Sequence, residues 1–349
     1  MPFTWLNETI QKPSTNFATQ ANQHQNQLTK PPGSLGRLEE LAITLAAQQN
    51  TTKPKVDYPC IIVFAADHGI AEEGVSAFPQ AVTGEMIRNF SRGGAAISVL
   101  ARSNKIPLKV INLGTASAIE ELPGVQHLNI SPGTANFAKQ SAMTDETSSL
   151  ALQAGKEAID QQNKLDIFIA GEMGIANTTS ATALAAVLLN KDASTLAGPG
   201  TGLSPADVQH KATIINKAIQ QHGLNCDTQP LEVLKTVGGL EIAAITGAYI
   251  RCAQQGISVL VDGFICSVAA LVACRLRPET HPWLIFSHQS AEPGHQRILQ
   301  AMDAKPLFNL GLRLGEGSGA TVALPLLQTA CALHNNMATF AEADVSESK

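Results

Sequence analysis

The sequence predicts an α/β fold with a parallel sheet of about six strands covered by helices. Three observations carry that prediction. Short apolar runs alternate along most of the chain with longer stretches of helical periodicity, which is how a sheet with helices on both faces is written. The apolar runs number six. Most of them end on polar or glycine-rich residues, the endings that converge on a ligand crevice at the carboxyl edge of an open sheet.

In chain order, residues 1–30 read as one or two polar helices broken at Pro13. Lys30-Pro31-Pro32-Gly33-Ser34-Leu35-Gly36-Arg37 follows as a linker. Its two prolines enforce an extended segment, and Ser34 is placed to cap a helix with apolar positions Leu35, Leu38, Leu41 and Leu45. Lys30 and Arg37 put a base at each end, either solvated or reaching an anionic ligand. Strands are expected at 60–65, 108–113, 125–130, 166–170, 257–261 and 283–286, the third interrupted by Gln126, His127 and Asn129. Helices are expected at 82–102, 144–163, 178–189, 204–222, 230–236, 240–254 and 267–276, and an apolar helix begins near Thr321. Ser204-Pro205-Ala206-Asp207 is a helix start, with a capping serine, proline at the first position and an acid in the first turn.

A net charge of -5 argues against a dedicated nucleic-acid binder and favours a small-molecule partner. The longest apolar runs fall short of a membrane span, and the polar N-terminus lacks the marks of a secretory leader, so a cytoplasmic location is expected. Cys60, Cys226, Cys252, Cys266, Cys274 and Cys331 have no CxxC spacing and read as free thiols.

Gly171-Glu172-Met173-Gly174-Ile175-Ala176-Asn177-Thr178-Thr179 runs from a strand end into a helix start. Small residues there leave backbone N–H groups facing outward at the positive end of the helix dipole, which suits a phosphate. Neither a Walker A loop nor Gly-x-Gly-x-x-Gly is present. A second glycine-rich loop, Ala197-Gly198-Pro199-Gly200-Thr201-Gly202, precedes the Ser204 cap, and Lys211 lies about two turns into that helix. Asp262 at a strand end suits a ribose hydroxyl, and Phe78-Pro79-Gln80 supplies an aromatic wall. Leu314-Gly315-Glu316-Gly317 sets one carboxylate between glycines, by itself a turn signal and also a way of holding a carboxylate close to a ligand. Asp67, His68, His288 and His295 are either metal ligands or polar residues that hold loops.

Seven stretches, in order, resemble the nicotinate mononucleotide:5,6-dimethylbenzimidazole phosphoribosyltransferases of cobalamin lower-ligand assembly. They are the 30–39 linker, Ala66-Asp67-His68-Gly69, Gly171-Glu172-Met173-Gly174 with Asn177-Thr178-Thr179, Lys235-Thr236-Val237-Gly238-Gly239, Val261-Asp262-Gly263-Phe264, Ser287-His288 with Ser290-Ala291-Glu292, and Arg313-Leu314-Gly315-Glu316-Gly317-Ser318-Gly319. The resemblance implies a Rossmann-like domain over residues 31–320 and a small helical domain from residues 1–30 and 321–349. It also implies a homodimer and nicotinate mononucleotide and dimethylbenzimidazole as substrates, with no metal and no cofactor.

On the same resemblance Glu316 is the general base and Glu172 a second catalytic carboxylate beside the ribose. Phosphate contacts are Gly174, Ile175, Ala176, Asn177, Thr178, Gly200 and Lys211, and ribose or nicotinate contacts are Asp262 and Ser290. Phe78, Gln80, Met173, Leu314 and Gly315 line the benzimidazole pocket. Two other readings stay open: a non-catalytic binder of a phosphorylated metabolite, and a metal-dependent phosphohydrolase using Asp67, His68 and His288.

Overall fold

The computed structural model describes residues 4–346. The chain enters through α1 (Thr15–Gln27) and α2 (Arg37–Gln48) and reaches β1 (Pro59–Ala66), followed by α3 (Ala81–Arg92), α4 (Ala96–Ser103), β2 (Leu108–Gly114) and β3 (Val125–His127). Then come α5 (Asp145–Asp160), β4 (Ile167–Met173), α6 (Asn177–Leu189), α7 (Pro205–Gln221), α8 (Pro230–Val237) and α9 (Leu240–Gln255). The remainder is β5 (Ser258–Val261), α10 (Phe264–Leu276), β6 (Leu284–Phe286), α11 (Pro293–Ala301) and α12 (Ser318–Asn336).

The six strands form one sheet in the order β3-β2-β1-β4-β5-β6, and every pairing is parallel. This is the order of Rossmann sheets, and the direction of winding reverses between β1 and β4. A crevice is therefore expected outside the carboxyl ends of those two strands.

β1 reads Pro-Cys-Ile-Ile-Val-Phe-Ala-Ala, and both of its faces are used. Ile62, Phe64 and Ala66 join a core with α5, α6, α9 and α10, while Ile61, Val63 and Ala65 join a second core with α2, α3, α4 and α12. Side chains alternate across a strand, so a run apolar at every position requires cover on both sides. Each large side chain buried this way contributes about 1.5 to 3 kcal/mol.

The two chain ends meet. α1 and α12 both pack on α2, Leu28 bridges Thr339, and Gln25 Nε2 lies 2.8 Å from His334 Nδ1.

Several boundaries differ from the sequence expectation. The 82–102 helix is two helices, because Gly93 takes the left-handed conformation (φ 81°) and ends α3. Strand four extends to Met173, so Glu172 lies within the strand rather than after it. The third strand stops at His127, and α11 falls where no helix was expected. α2 begins after Gly36 with no side-chain cap, and the Leu35 amide donates to Glu39 Oε1 instead of Ser34 capping the turn. The same Glu39 pairs with Lys30 at 2.9 Å, both buried, and Arg37 pairs with Glu40. Both bases are thus held by acids of α2, and Arg37 also donates to the Lys305 carbonyl. Ser204 caps α7 as expected, accepting from the Asp207 amide.

Candidate active site

At the carboxyl edge of the sheet lies a cavity of about 520 Å³. Its walls come from the ends of β4 and β5, the starts of α6 and α10, the loop around Gly200, and the 312–319 segment. Its apolar lining is formed by Phe78, Val82, Met86, Leu100, Met173, Leu314 and Val322. Gly174, Ile175, Asn177 and Thr178 at the start of α6 also line it, as do Gly200 and Thr201.

Glu316 borders the cavity, 5% exposed, in an unusual backbone conformation. Its φ is 64°, between Gly315 at 91° and Gly317 at 85°. A left-handed non-glycine residue costs about 1 to 2 kcal/mol, so something must hold it. Three contacts do so. The Ile97 amide, in the first turn of α4, donates to Glu316 Oε2 at 3.3 Å. Asp262 accepts the amides of Gly317 (3.2 Å) and Ala320 (2.8 Å), capping α12 immediately behind Glu316. Glu172 packs so tightly over Gly315 that a Cβ there would collide with its Oε1. The glycines flanking Glu316 thus serve positive φ and close approach together.

Burial raises the Glu316 carboxyl above the ordinary range, against the pull of the Ile97 amide, and the nearby Asp262 charge adds to the rise. Glu172 is pushed well above it by burial and by the charges of Asp262 and Glu241, with Asn177 and the Glu316 amide opposing. The side chain of Asn177 donates to Glu172 Oε2. Burial also raises Asp262, against His288 and the three backbone N–H groups of Ala320, Gly263 and Gly317. His288 borders the cavity with Nδ1 2.9 Å from Ser287 Oγ and 4.0 Å from Asp262 Oδ1.

On the phosphate-loop side, Ala176 caps α6 from a left-handed conformation (φ 74°), which turns the strand sharply into the helix. The Ile175 amide is spent on Thr83 Oγ1 at 3.1 Å. Lys211 is fully buried and does not border the cavity; its Nζ donates to Thr178 Oγ1 at 2.8 Å and so stands one side chain behind the surface. Burial lowers its pKa to about 8, with Glu292 opposing.

Fourteen positions singled out in the sequence border this one cavity: Phe78, Glu172, Met173, Gly174, Ile175, Asn177, Thr178, Gly200, Asp262, His288, Ser290, Leu314, Gly315 and Glu316. Ala176, Lys211 and Gln80 stand behind it. Gln80 Nε2 donates to the His68 carbonyl at 2.7 Å, bracing the segment that carries Phe78. Asp67 and His68 are absent from the lining. His68 is fully buried between Glu241 Oε1 (2.8 Å) and Ser180 Oγ (3.0 Å), and Asp67 accepts the Ala116 amide. Their polarity holds loops together, and His288 stands apart from them. Among the described residues no group of three or more His, Cys, Asp or Glu is arranged to hold a metal ion.

Two charged lining residues escaped the sequence reading of the site. Glu292 is buried beside the Gly200 loop, and Arg313 Nη1 donates to the Gly200 carbonyl at 3.1 Å. Both lie inside the noted motifs, but Glu292 reads as an ordinary acid before a helix proline.

Comparison with known proteins places the whole chain. A family model described as Phosphoribosyltransferase (DBI_PRT) matches residues 10–345. The nicotinate-nucleotide–dimethylbenzimidazole phosphoribosyltransferase of Pseudomonas putida is 57% identical over 349 residues, covering 99% of each chain. The protein of the same name from Pseudomonas aeruginosa is 54% identical over 349 residues, again covering 99% of each. A solved nicotinate-nucleotide-dimethylbenzimidazole phosphoribosyltransferase from Thermus thermophilus superposes with a TM-score of 0.90 at 40% identity, covering 96% of this chain and all of that one. This chain belongs to that phosphoribosyltransferase family.

Proposed function

We propose that this protein transfers the phosphoribosyl group of nicotinate mononucleotide to 5,6-dimethylbenzimidazole, releasing nicotinate and α-ribazole 5′-phosphate, as in cobalamin nucleotide-loop assembly. The observation that carries this reading is a single one. Glu316 stands in a cavity that is lined both by apolar side chains and by the N-terminus of α6. A flat base fits the first, and a phosphate fits the second.

The phosphate lies along Gly174, Ile175, Ala176, Asn177, Thr178 and Gly200, with Lys211 supplying charge through Thr178. The ribose borders Glu172, Asp262 and Ser290, and the benzimidazole stacks among Phe78, Met173, Leu314 and Gly315, with Gln80 bracing that wall. The pyridinium nitrogen leaves C1 of the ribose with the bonding pair, and a benzimidazole nitrogen forms the new bond to C1 from the opposite face. Glu316 takes the N–H proton from the other ring nitrogen, a role worth ~10² to 10⁴ in rate. A carboxyl raised by burial binds that proton more readily than a solvated one. Glu172, in its ionised form, stabilises positive charge developing on the ribose. The pyridinium leaves without help because it is already cationic.

Residues 1–30 and 321–349 form a small helical domain, and the protein is a homodimer of the cytoplasm. Leu310, Leu314, Val322 and Leu326 are exposed apolar side chains of the kind a second copy covers. Among the described residues no helix is long and apolar enough to cross a membrane. The competing phosphohydrolase is disfavoured because His68 is committed to Glu241 and Ser180.

Incubation with nicotinate mononucleotide and dimethylbenzimidazole, with released nicotinate followed by chromatography, tests the reaction. Nicotinate release that depends on the added base is expected; binding of the mononucleotide without release would leave only a binder.

A further inference from the structure

Four carboxylates border the cavity, and their hydrogen bonds divide them. Both oxygens of Asp262 are taken by the Gly317 and Ala320 amides. Glu172 is held by Asn177 and faces the Glu316 amide. Glu316 has one oxygen on the Ile97 amide and stands against the apolar wall. Glu292 is different: it is 6% exposed, and its Oε1 is buried without any hydrogen-bond partner.

A buried acceptor left without a donor costs about 1 to 3 kcal/mol, so this oxygen calls for a ligand group. The carboxylate is also packed in place. A Cβ on Gly198 would collide with Oε2, so only glycine fits opposite it. The Ser290 hydroxyl accepts the Glu292 amide at 3.2 Å, which fixes the backbone at the start of α11. Burial raises the Glu292 carboxyl above the ordinary range, and Lys211, the Gly200 amide and Arg313 oppose that rise.

A carboxylate there repels a phosphate or the carboxylate of nicotinate, and the proposed reaction gives the N–H of the base to Glu316. What remains on the phosphate side of a nucleotide is the ribose, whose hydroxyls are donors. We propose that Glu292 accepts a hydrogen bond from a hydroxyl of the substrate's ribose and so selects ribosyl over deoxyribosyl phosphates. Glu292 itself lines the cavity, beside the Gly200 loop. The inference rests on the transfer reading above.

The test compares kcat/KM for nicotinate mononucleotide and its 2′-deoxy and 3′-deoxy forms in the wild type, Glu292→Ala and Glu292→Gln. The wild type is expected to lose about 10- to 100-fold on one deoxy form. Glu292→Ala should show a similar loss on the parent and no further loss on that deoxy form. An equal deoxy penalty in wild type and variant, or a wild type indifferent to both hydroxyls, would overturn the proposal. Should Glu292→Ala fail to fold, Glu292→Gln keeps the volume and one acceptor oxygen, and a reduced but measurable penalty is expected from it. A wild type that releases no nicotinate sinks the transfer reading alone. Calorimetry with ribose 5-phosphate and its deoxy forms then reads the same penalty, and its absence sinks the role of Glu292.

Discussion

The Ala320 amide donates to Asp262 Oδ1 at 2.8 Å, joining the end of β5 to the first turn of α12 across 58 residues of chain. With the Gly317 amide on the other oxygen, this carboxylate fixes the three consecutive left-handed residues that present Glu316. Asp262→Ala removes the cap and leaves two buried N–H groups unpaired. A loss of about 1 to 2 kcal/mol in thermal unfolding is expected, together with a fall in kcat as Glu316 loosens. Unchanged kcat in a folded variant would detach Asp262 from the catalytic loop.

Glu316→Gln keeps the shape of the side chain and removes its basicity. A drop in kcat of ~10² to 10⁴ with little change in melting temperature is expected. In the wild type, kcat should fall as pH drops through the raised pKa of Glu316, because the protonated acid cannot accept the base's proton. Glu316→Gln should lack that limb; turnover near the wild-type level would remove the general-base assignment.

Glu172→Gln should melt higher than the wild type while turning over more slowly. Burial puts the folded carboxyl well above its unfolded value, so the folded state holds a proton that the unfolded chain releases. The stability tied to that proton is present at low pH and lost as pH rises through the raised value. The amide carries no such dependence, so its advantage in melting temperature should grow as pH rises from the ordinary carboxyl range toward the raised value. A constant difference over that range would contradict a raised pKa.

Lys211→Ala should raise KM for the mononucleotide by about 10- to 100-fold, the range for a hydrogen bond to a charged group, with less effect on kcat. Because burial lowers the amine to about 8, wild-type KM should climb as pH passes that value and the charge is lost. A KM indifferent to both changes would take Lys211 out of the phosphate site.

Much of this was legible along the chain. Residues 60–65 or 257–261 could hardly be anything but buried strands, and Gly171-Glu172-Met173-Gly174 leading into Asn177-Thr178-Thr179 marked a helix start open to an anion. These signals are local, set by side-chain period, glycine and proline positions and capping residues. The division of labour among the acids was not legible. Asp67, His68, Glu172, Asp262, Glu292 and Glu316 look alike in sequence, each a charged or polar residue near a glycine. Only the fold brings Ile97 to Glu316 across 219 residues, Glu241 to His68 across 173, and the α12 amides to Asp262, while leaving Glu292 Oε1 without a partner. Whether a carboxylate is a fastener or a free acceptor depends on which donors surround it, and those donors come from distant parts of the chain through the order in which the strands assemble.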